Sequence, residues 1–233
     1  MMTAERVRRG PGPPVMLREG NYRKKALPFL RNDFQRTCAY CLDPRDLRHP
    51  SLDHVDHFNC KISGRKRHAY TNLMLACAAC NLTKHDKPVC NPLDKRQRLL
   101  NCTRECEFPQ HIRESEDGQW VPISPEGKYH VTVIGLDEAC HRSKRAMRRR
   151  LADQILRLLT TAIQYEADNP AEVQSQLMAT LRELLRDLDF FPPLVTNGGV
   201  LTIRQWLASR GVDTDLLESP SAHTGGKHTR ARG

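Results

Sequence analysis

The chain has 233 residues, of which 39% are apolar and 27% charged, with a mean hydropathy of -0.61. That length suits one or two domains, and no apolar run approaches the roughly 20 residues of a membrane-spanning helix. The opening MMTAERVRRGPGPP lacks the apolar stretch of a secretory signal, so membrane and secreted classes are excluded and a cytoplasmic protein is expected.

The net charge of +10 is unevenly placed, with +6 on residues 1–31 and +2 on residues 217–233. A basic arm on a near-neutral body suits a polyanion, because phosphate contacts release condensed counterions. The same composition also serves as a solubilising tail.

In chain order, residues 1–25 are expected to be a disordered basic arm, since Gly10, Pro11, Gly12, Pro13 and Pro14 among arginines cannot build a core. Leu27, Phe29, Leu30 and Phe34 predict a short helix that leads into a module over residues 26–100. Residues 101–216 read as a β-hairpin followed by a helical region. The turn Glu116-Asp117-Gly118-Gln119 joins Ile112 to Trp120-Val121, and the alternation of Tyr129 to Ile134 predicts a further strand. A helix is then predicted from Asp137 to about Ala167, with Met147, Leu151, Ile155, Leu158 and Ala162 as its apolar stripe. A second helix is predicted from Ala171 to Leu188, stopped by Phe191-Pro192-Pro193, and a short one from Thr202 to Ser209. Residues 217–233 read as a disordered tail.

Four of the nine cysteines form two Cys-x-x-Cys pairs, Cys38 with Cys41 and Cys77 with Cys80. This spacing is that of a tetrahedral zinc site in a reducing compartment, and it predicts one structural Zn²⁺. Four thiolates close the coordination sphere, so such an ion supports the fold and cannot activate water. Cys60, Cys90, Cys102, Cys106 and Cys140 read as buried thiols without a metal.

Between the pairs lie LDHVDHFNCKISG and TNLMLA, and after them CNLTKHDK. In this order the pieces resemble the HNH endonuclease family, over roughly residues 36–88. The resemblance implies an α+β fold with a ββα-metal nuclease element and metal-dependent hydrolysis of DNA phosphodiester bonds. It implies that Asp56 and Asn81 hold a catalytic divalent ion (Mg²⁺, Mn²⁺ or Ni²⁺), with His85 as a further ligand four residues after Asn81 on the same helix face. His57 is then the general base, and Asn72 orients it by holding the loop.

Two doublets are available, Asp53-His54 and Asp56-His57. The second is preferred because the resemblance implies a Gly eight residues after the Asp, where Gly64 stands after Asp56, and Asn72 then follows His57 by fifteen. Asp53 and His54 stay open as the alternative pair. Lys84 and Lys87, and Arg145 and Arg148 from a run of six basic residues between Arg142 and Arg150, are expected to meet the nucleic-acid backbone. The same basic run also reads as a solvated face or a subunit contact.

A longer resemblance extends through Phe58, Asn91-Pro92-Leu93 and Gly118-Gln119-Trp120 to one HNH branch. That branch includes the nuclease subunits of bacterial antiphage systems of the Septu and retron-associated kind. It implies a partner ATPase, docked through the C-terminal helices. The rival class is a non-catalytic zinc-bound DNA-binding or adaptor protein, and RNA is the rival substrate.

Overall fold

The computed structural model describes residues 9–43, 53–104, 107–165, 194–196 and 199–211. Helix α1 (Tyr22–Asp33) buries Tyr22, Ala26 and Leu30, one residue per turn, against the module core. Strands β1 (Asp53–His57) and β2 (Leu73–Cys77) form an antiparallel hairpin that pairs Asp53 with Cys77 and His57 with Leu73. All five residues of β2 are buried, because α1 and the Cys38–Asp43 turn cover it. Helix α2 (Ala78–Lys84) starts directly at the end of β2, with Cys77 as its N-cap. Together these elements make a ββα unit.

Three further antiparallel hairpins follow: β3 (Cys90–Asn91) with β4 (Asp94–Arg98), β5 (Ile112–Glu114) with β6 (Trp120–Pro122), and β7 (Leu194–Thr196) with β8 (Gly199–Leu201). A two-stranded sheet is marginal alone. Helices α3 (Glu107–His111), α4 (Pro125–Ile134), α5 (Ala139–Tyr165) and α6 (Ile203–Ser209) supply the packing. Thr202 caps α6 in a reciprocal box with Gln205. The fold is α+β, and among the described residues no helix is long and apolar enough to cross a membrane.

Four sequence expectations change. Residues 129–134 are the second half of α4 and not a strand. Ser124 accepts from the Gly127 N–H, Pro125 occupies the first turn, and Gly135 ends the helix at φ +71. Gly127, His130, Val131 and Ile134 bury at helical spacing, so caps and burial outweigh the β propensity of Val131-Thr132-Val133-Ile134. On α5 the buried face is Arg145, Arg148, Ala152 and Ile155, while Met147 and Leu158 are exposed. Residues 9–25 are not a disordered arm: Arg9 donates to the carbonyls of Tyr70 and Leu73 and lies over the Phe34 ring, and α1 begins at Tyr22. Cys140, finally, is exposed. The expected helix at 171–188, the tail at 217–233 and Cys106 lie outside the described residues.

Candidate active site

The two Cys-x-x-Cys turns meet at the base of the hairpin. The Sγ atoms of Cys38, Cys41, Cys77 and Cys80 lie within 4.8 Å of one another, and Cys41 and Cys77 are 3.9 Å apart. A tetrahedral ion with 2.3 Å bonds to sulfur needs sulfurs about 3.8 Å apart, so the group fits structural zinc. Backbone N–H groups support it: that of Cys77 donates to Cys38 Sγ and that of Cys80 to Cys77 Sγ, both at 3.3 Å. The neighbouring thiols and the Cys80 N–H hold the Cys77 thiol far below its ordinary range. Asp43 and His141 lie beside Cys41, but Lys144 Nζ takes Asp43 Oδ2 at 3.2 Å, the oxygen that a further cation would need.

The Cys38–Asp43 turn also builds the site. Ala39 N–H bonds to the Leu75 carbonyl, which joins the turn to β2, and the next residue, Tyr40, donates its hydroxyl to Asp56 Oδ2. Lys84, on the last turn of α2, reaches the same oxygen at 2.9 Å and the His57 carbonyl at 2.8 Å. Asp56 is buried, and desolvation raises its pKa against the opposing pull of Lys84 and Tyr40.

Strand alternation puts Asp53 and His57 on one face of β1 and His54 and Asp56 on the other. Asp53 pairs with Arg31 of α1 at 2.8 Å and its side chain is 2% exposed. His57 packs its ring against Tyr22 of α1, at 4.7 Å between centroids. Its Nε2 lies 3.1 Å from Nδ1 of His68, whose Nε2 is 3.2 Å from a Glu19 carboxylate oxygen. Burial, then the charge of Arg67, lowers the His57 pKa to about 4, so the imidazole is neutral at pH 7. Asn72 ties the loop: its amide donates to the carbonyls of Asn59 and Arg67 and its oxygen accepts from the Asn59 N–H.

A cleft of about 750 Å³ opens between α1 and the end of α2. Asp56, His57, Asn81 and His85 all line it, and so do Asp53 and His54 of the alternative doublet. His85 is not on the helix face expected for it. The helix ends at Lys84, and His85 is its exposed C-cap at φ +43, with Nδ1 beside Asp86. Arg23, Lys24, Lys61 and Arg67 also line the cleft.

Three of the four expected backbone-contact residues have no exposed surface. Lys84, Arg145 and Arg148 are fully buried, and a guanidinium or ammonium without exposed surface cannot meet a phosphate. Arg145 donates to the carbonyls of Gly118 and Leu136 and lies over the Trp120 ring, while Arg148 pairs with Glu114. Lys87 donates to the Val133 carbonyl. Tyr40, His68, Glu19 and the cleft cations carried no motif of their own. Tyr40 alone had a sequence signal, its place inside the first Cys-x-x-Cys pair.

Residues 38–87 match the HNH endonuclease family. The chain thus carries an HNH endonuclease domain over about a fifth of its length, running from the first zinc cysteine to the residues just after α2. That domain makes it a phosphodiester hydrolase, with DNA as the substrate that the family implies. No curated protein matches the chain.

Proposed function

We propose that the chain hydrolyses DNA phosphodiester bonds in the cleft between α1 and α2, with His57 as general base. The observation that carries this reading is the meeting of Asp56, His57 and Asn81 in one cation-rimmed cleft within the HNH segment. Neutral His57 accepts a proton from the attacking water. Tyr40 and Lys84 fix Oδ2 of Asp56, which leaves Oδ1 for a divalent ion beside the Asn81 amide oxygen and His85. These hard and borderline donors fit Mg²⁺, Mn²⁺ or Ni²⁺. Bound there, the ion supplies Lewis-acid polarisation of the phosphoryl group and charge at the leaving 3′ oxygen. Asn72 holds the loop that carries the site, and Arg23, Lys24, Lys61 and Arg67 receive backbone phosphates.

Plasmid nicking with Mg²⁺, Mn²⁺ or Ni²⁺, compared with chelator, tests the reading. His57→Ala lowers the cleavage rate about 10²- to 10⁴-fold while zinc content and DNA affinity stay unchanged. His54→Ala keeps most activity. An exchange of these two results makes Asp53-His54 the working pair. Folded protein that nicks under no metal supports the adaptor reading.

We also propose residues 26–100 as the nuclease module and 101–216 as a β-hairpin and helical extension, of which residues 137–216 dock a partner ATPase in an antiphage system. This rests on Asn91-Pro92-Leu93 and on the Gly118-Gln119-Trp120 hairpin before an Arg-rich helix. Co-purification from the native host, with a lone fully active monomer as the contrary outcome, tests it.

A further inference from the structure

Glu19, His68 and His57 form a chain from the surface to the cleft. Glu19 is 82% exposed, whereas the two histidines are buried and their rings cross at 64° with centroids 5.1 Å apart. Tyr22 packs on both rings, at 4.7 and 4.9 Å between centroids. The loop that carries His68 is pinned one residue earlier, where Asn72 bonds the Arg67 carbonyl.

Donor and acceptor logic runs inward along this chain. An ionised carboxylate only accepts, so the His68 nitrogen facing Glu19 carries the hydrogen. The other nitrogen of His68, Nδ1, then serves as the acceptor that faces His57. The His57 Nε2 that faces it at 3.1 Å must therefore be the protonated nitrogen. The lone pair of His57 is left on Nδ1.

We infer that His68, held by Glu19, is a positioning residue that fixes His57 in the Nε2–H tautomer and so makes Nδ1 the atom that takes the proton from water. The inference rests on His57 being the general base. It extends the site beyond the HNH segment, since Glu19 and Tyr22 precede residue 38. In the reaction the water proton moves to Nδ1, the Nε2–H stays in place, and the resulting imidazolium donates more strongly to His68. Asn72 then acts on the base through His68.

The test combines kinetics with a direct reading of the ring. Long-range ¹H–¹⁵N spectra of the zinc-loaded full chain, with His57 assigned by the signals lost in His57→Gln, should show His57 protonated on Nε2 only. An Nδ1–H tautomer overturns the inference even if His57→Ala is inactive. The expected tautomer in a chain where His57→Ala remains active sinks the base assignment instead and leaves the tautomer lock standing.

His68→Ala should lower kcat roughly 10- to 100-fold with KM for DNA and zinc content unchanged, as loss of an orienting partner does. His68→Asn, which keeps an oxygen near the Nδ1 position, should recover most of that loss. Equal losses in both variants, or wild-type kcat in His68→Ala, overturn the inference. If His68→Ala does not fold, the wild-type spectrum alone decides.

Discussion

Asp56 and Lys84 form a buried ion pair in which each group limits what the other can do. The Lys84 ammonium has no exposed surface and divides its hydrogens between Asp56 Oδ2 and the His57 carbonyl. Removing one member of such a pair leaves a buried charge without its counter-ion, at about 3–5 kcal/mol. Lys84→Met should accordingly lower Tm by roughly 10 °C in a chain of this size, with little change in DNA affinity. Thermal melts and a binding isotherm check it. Lower affinity at unchanged Tm would return Lys84 to the phosphate contact that its sequence position suggested. A lysine on a short helix beside a nuclease motif reads as a phosphate ligand until its burial is known.

The basic run of α5 makes the same point for a whole element. Arg142 pairs with Asp117, Arg148 and Arg149 pair with Glu114, and Arg145 packs on Trp120. The helix is therefore bolted to the β5–β6 hairpin. Gly118 shows how closely they approach: it lies at φ +78, and a Cβ there would come 2.5 Å from the Ala146 nitrogen. Arg148→Met should lower Tm and leave the salt dependence of DNA binding unchanged. Arg23→Ala and Lys24→Ala, on the cleft rim, should each reduce the slope of log K against log salt by about 1. Isotherms at several salt concentrations separate the two, and a smaller slope in Arg148→Met would place α5 on the DNA after all.

At the scale of the molecule, His130 ties the module to the region after it. His130 is fully buried, with Nδ1 accepting from the Leu100 N–H and Nε2 against the Tyr40 carbonyl, 3.1 Å each. Burial lowers its pKa to about 4, whereas in the unfolded chain it titrates near 6.5. Above pH 6.5 both states are neutral. As the pH falls from 6.5 towards 4 only the unfolded state binds the proton, and stability declines by on the order of 3 kcal/mol. Denaturation at pH 7 and pH 4.5, with His130→Gln as the reference, should show a smaller loss for the variant. Equal losses would assign the acid sensitivity to other groups. Zinc enters at the same scale, since structural sites contribute on the order of 10 kcal/mol to folding. Cys38→Ser or Cys80→Ser should lower stability and activity together, with one zinc per wild-type chain by elemental analysis. A zinc-free, fully folded chain would contradict this.

The sequence by itself determined what depends on local spacing. The paired Cys-x-x-Cys turns, the Asp-His doublets ahead of Asn72, the hairpin at Glu116–Gln119 and the short helix after Thr202 are short-range patterns whose geometry is set within a few residues. The HNH segment could be read from them for that reason. What each titratable group touches was decided only by the tertiary structure. A lysine, arginine or histidine reads the same in sequence whether it faces water or a carbonyl 2.8 Å away, and burial reverses its use. Helix α4 was hidden because its β-branched run outweighed Ser124 and Gly135 until burial of His130 and Val131 fixed the helical period. Glu19 and Tyr22 were hidden from the site because 35 or more residues separate them from His57, and only the packing of α1 against β1 brings them there.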